Sequence, residues 1–251
     1  MGISSFFRER RRLLLLFLRQ IGREDWAQRL ENLGKPNNDQ PGFRIDIGGH
    51  RLHILDLGEE DAPAVVFEAD CGGWSADWIE IQEETARFAR AVSYDRAGHG
   101  WSEPAQRPRT LPNMAEEVNA LLHNSSIRPP FVLVGRGLGG LLVQYYARFY
   151  PEKTAGVVLV GAWTLEEAAR GTAEKKLPRT HDRIRIKQSR SLAYRSAVKD
   201  QNRRLRATGA DGLAKEMERA GPSPSVPVIE LRADASDQEI LASIQQILSP
   251  P

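Results

Sequence analysis

The stretch Phe131-Val132-Leu133-Val134-Gly135-Arg136-Gly137-Leu138-Gly139-Gly140 constrains this chain more than any other. An apolar run suited to a buried strand enters a glycine-rich turn, and Leu141 to Tyr150 continues as a helix. A strand that bends sharply into a helix is the repeating unit of a parallel sheet covered by helices. Such a unit needs flanking strands, and the chain supplies them.

Phe43 to Ile47 alternates in polarity, Gly48-Gly49 suits a two-residue turn, and His50 to Leu57 alternates again, which predicts a β-hairpin. Ala64 to Ala69, Ala91 to Tyr94, Gly156 to Val160 and Val226 to Leu231 read as further strands. Trp78 to Phe88, Met114 to Leu122 and Asp237 to Leu248 read as helices between and after them. The expected fold is α/β: a mostly parallel, doubly wound sheet. Ligands of such sheets bind beyond the carboxyl ends of the strands. Here those ends carry residues 70–74, 95–102, 135–140 and 161–164.

Residues 165–222 break the rhythm. Between Arg170 and Arg206 there are thirteen Lys or Arg against three acids, Glu174, Asp182 and Asp200. This segment reads as a helical cap over the strand ends, its charge either a solvated face or an attraction for anionic ligands. At the N-terminus, Arg8-Glu9-Arg10-Arg11-Arg12 precedes six apolar residues, Leu13 to Leu18. Six is far short of the roughly 20 that cross a membrane and short of the roughly 7–15 of a signal peptide. Two readings stay open for residues 8–19: a basic interfacial helix in weak contact with an anionic membrane, and a helix docked on its own domain. The expected organisation is therefore 1–38, basic helix and linker; 39–164, core; 165–222, cap; and 223–251, last strand and helix of the core.

Composition narrows the functional classes. The net charge of +2 gives no reason to expect nucleic acid. One cysteine, Cys71, excludes an internal disulfide and fits a reducing, cytoplasmic setting. The glycines at 135, 137, 139 and 140 lack dinucleotide spacing, no Walker lysine follows, and His and Cys show no metal-ligand spacing. No cofactor and no metal are expected.

Four motifs in order then carry a resemblance: Glu68-Ala69-Asp70-Cys71-Gly72-Gly73; Tyr94-Asp95-Arg96-Ala97-Gly98-His99-Gly100-Trp101-Ser102; Leu133-Val134-Gly135-x-x-Leu138-Gly139-Gly140; and Tyr150-Pro151 with Val157 to Val160. From about Phe43 to Ala162 the chain resembles the α/β-hydrolase family, closest to its esterase- and lipase-like members. The resemblance implies a serine nucleophile on a strained strand-to-helix elbow, a histidine base, an orienting acid and two backbone N–H groups for the oxyanion. At the nucleophile position this chain has Gly137, which has no side chain to attack with. The oxyanion donors carry over to the N–H of Cys71 or Gly72 and of Leu138. Arg136, before the elbow, is either a contact for an anionic ligand or the partner of a carboxylate on the rim. Asp234 is the weak candidate for the acid, with a surface turn before the last helix as the plainer reading. No histidine follows it, and the strand that would carry one is missing, so the sheet edge is exposed and open to self-association. Cys71, Ser75 and Ser102 are poor substitutes for the nucleophile, and His99 reads as structural.

The expected function follows: an α/β-hydrolase-fold protein impaired in catalysis, retaining a pocket for a small acyl- or ester-like ligand or a partner. The alternative is an active carboxylic ester hydrolase with non-standard catalytic residues.

Overall fold

The computed structural model describes residues 41–170 and 192–249. The chain divides into compact units of residues 1–43 and 44–251, and the candidate site belongs to the second. The expected N-terminal helix, residues 8–19 and the middle of the cap lie outside the described residues.

Seven strands form one sheet: β1 (Phe43–Asp46), β2 (Arg51–Leu57), β3 (Ala64–Glu68), β4 (Arg90–Tyr94), β5 (Phe131–Arg136), β6 (Thr154–Val160) and β7 (Val228–Leu231). Their order is β1-β2-β4-β3-β5-β6-β7. β2 runs antiparallel to β4, and every pairing from β4 to β7 is parallel. Val66 of β3 lies in register between Val92 and Leu133. β3 and β4 are buried along their whole length, β5 and β6 nearly so. That is why their sequences read as apolar runs rather than alternations: both faces are covered.

The helices are α1 (Ile79–Thr85), α2 (Leu111–Asn124), α3 (Leu138–Phe149), α4 (Leu165–Arg170), α5 (Leu192–Arg219) and α6 (Asp237–Leu248). Val65, Phe67, Val132, Val134, Val158 and Val160 meet Trp78, just before α1, Ile81 of α1, and Ile240 and Ile244 of α6 in one core. α3 packs on β3, β5 and β6, with α2 beside it. α6 starts at a capping box, in which the Ser236 hydroxyl accepts from the Glu239 N–H and the Glu239 carboxylate accepts from the Ser236 N–H. Its fully buried Ile240 and Ile244 each contribute about 1.5–3 kcal/mol by leaving water.

Two helical expectations change in detail. The helix predicted over Trp78 to Phe88 is a 3₁₀ turn, Ser75–Trp78, followed by α1, which ends at Thr85. There the bonds Arg87 N–H to Glu84 O and Phe88 N–H to Thr85 O tighten the chain before it enters β4. The helix expected from Leu141 begins three residues earlier, at Leu138, because the glycines read as turn are its first turn packed against β3. A Cβ on Gly139 would stand 2.5 Å from the Ala69 carbonyl oxygen, and closer to that of Glu68. Between α4 and β7 the described part of the cap is α5, kinked at Gly209. On the β7 side the sheet has no further strand among the described residues, and Val228 is half exposed.

Candidate functional site

Residue 137 joins β5 to α3 with φ +54° and ψ −119°. That backbone is costly for any residue with a Cβ and open to glycine. The junction is well tied: the Gly137 N–H donates to Val160 O at 3.3 Å, and its carbonyl accepts from Trp163 N–H at 3.0 Å and Gly140 N–H at 3.1 Å. The sharp strand-to-helix corner thus sits at the carboxyl end of the sheet, between the loops that follow β3 and β6.

The space above Gly137 is taken. One Asp70 carboxylate oxygen, Oδ1, accepts from the Cys71 N–H at 2.7 Å and from the Leu138 N–H at 2.9 Å. A Cβ at residue 137 would overlap this carboxylate, with Oδ2 at 2.7 Å and Oδ1 and Cγ nearer still. The two N–H groups that the resemblance assigned to an oxyanion do converge on one point, and an acid side chain from the neighbouring loop stands at that point. Asp70 stood among the quoted motifs with no role attached. The only sequence signal for it is an acid directly before the Cys71-Gly72 turn.

The loop that presents Asp70 is held from below. The Arg96 guanidinium donates to Ala69 O at 2.6 Å, to Asp70 O at 2.5 Å and to the Glu68 carboxylate, which also accepts from the Tyr94 hydroxyl. Burial pushes Glu68 up to about 7, against the pull of Arg96. Next along the chain, the buried Asp95 accepts from the Ser75 N–H at 2.9 Å, the Ser75 hydroxyl at 2.7 Å and the Trp101 N–H at 2.8 Å. Its other partner is His53, with Nδ1 3.1 Å away. Burial works against the Asp95 charge, but His53, Ser75 and Trp101 outweigh it and hold its pKa below the ordinary carboxylate value. The Ser102 hydroxyl donates to Asp95 O at 2.5 Å. Ser75 and Ser102 are thus both tied into the framework of these loops.

His99 is fully buried, and Nδ1 lies 3.2 Å from Ala97 O. Burial, together with the charges of Arg96 and Arg109, pushes its pKa down to about 3, so the ring is neutral. Burial likewise pushes the Cys71 thiol up to about 11, and Sγ reaches Asn202 Oδ1 of α5 at 3.4 Å. A thiol in that state is a poor nucleophile. This contact, and the close approach of Ala197 to Gly98, lays α5 against the loops at the strand ends.

The α/β hydrolase fold family matches residues 63–239. The chain belongs to this family. Over 128 residues this α/β-hydrolase-fold protein is 31% identical to an uncharacterized vacuolar membrane protein of Saccharomyces cerevisiae, covering 49% of this chain and 20% of that protein. It is 30% identical over 115 residues to a putative carbamate hydrolase, RutD, of Cronobacter sakazakii, covering 45% and 42% respectively. The matched stretch spans less than half the length of these curated relatives. Among solved structures it is similar to a putative lipase of Acinetobacter baumannii, with TM-score 0.64 and 15% identity over 82% of this chain and 90% of that one. The haloalkane dehalogenase DbeA of Bradyrhizobium elkani gives TM-score 0.65 and 15% identity over 82% and 97%. At such identity the likeness is one of fold.

The remaining candidates of this α/β-hydrolase-fold chain fall as follows. Gly72 lies in the loop after β3 with φ +73°, beside the Cys71 donor that reaches Asp70. Among the described residues Arg136 pairs with no carboxylate; its guanidinium lies over the Trp78 ring, 4.8 Å from the centroid. Asp234 is exposed and bound two residues away to Arg232, at 3.0 and 2.7 Å, as a surface turn residue would be. Among the described residues no cluster of His, Cys, Asp or Glu could hold a metal ion.

Proposed function

We propose that this α/β-hydrolase-fold protein is impaired as a catalyst, and that its loop face holds a small acyl- or ester-like ligand or a partner without turning it over. The observation that carries the reading is residue 137: a glycine at the strained corner, under a carboxylate, where the chemistry of the fold calls for a nucleophilic side chain. Two further groups support it. His53 is fully buried between Asp95 and the Trp101 ring, and His99 is fully buried and neutral, so neither ring is open to solvent as a general base. His181 lies outside the described residues.

Removing a triad member leaves a residual rate of about 10³–10⁴ over water from the oxyanion hole and binding alone. Impaired therefore means slow. The test is p-nitrophenyl ester turnover by the wild type and by Asp70→Gly/Gly137→Ser, in which the Asp70 carboxylate no longer fills the corner. The expected result is no efficient hydrolysis by either, and a gain of about 10³-fold or more on adding the serine would reveal a working base and overturn the reading. Labelling of the wild-type chain by a fluorophosphonate probe would instead favour an active ester hydrolase with non-standard residues. The same reading places the protein in the cytoplasm, with residues 8–19 in weak peripheral contact with a membrane and the β7 edge available for self-association. Among the described residues no helix is long and apolar enough to cross a membrane.

A further inference from the structure

We propose that the exposed face of the first half of α5 docks on a lipid surface of net negative charge, through Lys199, Arg203 and Arg206. Residues 192–208, before the kink at Gly209, carry five Arg or Lys and one acid, Asp200. Residues 210–219, beyond it, carry Lys215 and Arg219 against Asp211, Glu216 and Glu218. The kink thus divides a basic half from a weakly acidic one.

The basic half has two distinct faces. On one, Gln201 and Leu205 are buried, Asn202 accepts from the Cys71 thiol at 3.4 Å, and Ala197 stands close to Gly98. At about 100° per residue, Lys199, Arg203 and Arg206 fall within about 60° of arc on the far side, along about 10 Å of helix axis. All three are exposed, Arg203 by 71%. Asp200 pairs with Arg203 at 2.5 Å and lies 3.7 Å from Arg204. Among the described residues no acid pairs with Lys199 or Arg206. The Arg206 Nε donates to Arg170 O at 3.0 Å, a neutral partner that leaves the charge uncompensated.

The composition of this face selects its partner. The other exposed residues between 196 and 207 are Ser196, Arg204 and Ala207. A protein partner needs a large anchor buried at the centre of the contact, and a nucleic acid strand needs an aromatic stacking platform. This face offers neither. It offers a row of cations with no shape to match, which suits anionic headgroups that rearrange around them. The contact is separate from residues 8–19, and it holds whether or not the protein turns over a ligand.

The experiment is sedimentation of the full chain with vesicles of phosphatidylcholine, alone or with about 30 mol% phosphatidylserine, in about 100 mM sodium chloride. The wild type should sediment with the anionic vesicles only, and about 1 M salt should release it. Each basic residue near such a surface strengthens binding about 5-fold, so Lys199→Gln/Arg203→Gln/Arg206→Gln should bind about 100-fold more weakly. Lys215→Gln/Arg219→Gln, beyond the kink, should bind as the wild type does. Arg10→Gln/Arg11→Gln/Arg12→Gln should still sediment with the anionic vesicles. Should the triple α5 variant not fold, Lys199→Gln alone decides, with an expected loss of about 5-fold. The proposal is overturned by wild-type binding that is absent or equal on both vesicles, by α5 variants that bind like the wild type, or by binding lost wholly with the N-terminal arginines. Tighter binding to a DNA duplex of equal phosphate concentration also overturns it, because the face would then serve nucleic acid.

Discussion

Gly137→Ala adds one methyl group at the point where the backbone and Asp70 compete for room, and its cost can be worked from the structure. At φ +54° and ψ −119° a residue with a Cβ carries strain of about 1–3 kcal/mol. The methyl overlaps the Asp70 carboxylate, which must swing out and give up its bonds to Cys71 and Leu138. Charge-assisted hydrogen bonds are worth about 1.5–3 kcal/mol when buried, and the partial exposure of Asp70 brings this loss to about 1–2 kcal/mol. The sum, about 2–5 kcal/mol, lowers Tm by about 5–15 °C in a chain of this size. In Asp70→Gly/Gly137→Ala the overlap is gone and only backbone strain remains, so the two changes should couple favourably by about 1–2 kcal/mol. Urea denaturation followed by circular dichroism of the four proteins closes the cycle. A single Gly137→Ala variant within about 0.5 kcal/mol of the wild type, or strictly additive changes, would refute the argument.

Acidification should reveal the buried His99. Its folded pKa of about 3 lies below its ordinary 6.5, so the unfolded chain binds the extra proton and stability falls as pH drops through that window. Glu68, raised from 4.5 to about 7, acts oppositely between those values, and the net loss is expected below about pH 4.5, where Asp95 adds to it. Melts across pH 3–7 check this, and His99→Gln should flatten the acid limb. For Cys71, a thiol pKa of about 11 leaves a thiolate fraction of ~10⁻³ at pH 8. Iodoacetamide should therefore label the native chain far more slowly than the urea-unfolded one, and equal rates would contradict the burial.

What was legible in the sequence was what periodicity and local chemistry encode. α6 follows its expected span from Asp237 to Leu248, because a capping box at Ser236 and Glu239 coincides with the start of the apolar spacing. The all-buried strands were readable as apolar runs. α3 was harder, since Gly139 and Gly140 are weak helix formers and only packing against the backbone of β3 explains them. The corner at Gly137 was visible as a pattern. The carboxylate above it was not, because Asp70 and Leu138 lie 68 positions apart and nothing in either neighbourhood marks the pairing. For the same reason, the contact between Arg136 and the Trp78 ring could not be told in advance from an ion pair.

The shared volume above Gly137 also bears on how the site could change. Two positions draw on one parcel of space, so a hydroxyl-bearing residue cannot occupy the corner while the acid stays where it is. Any mutational path that puts a hydroxyl at residue 137 has an order imposed on it: residue 70 must shrink first, and the intermediate on that path leaves the Cys71 and Leu138 N–H groups without their carboxylate.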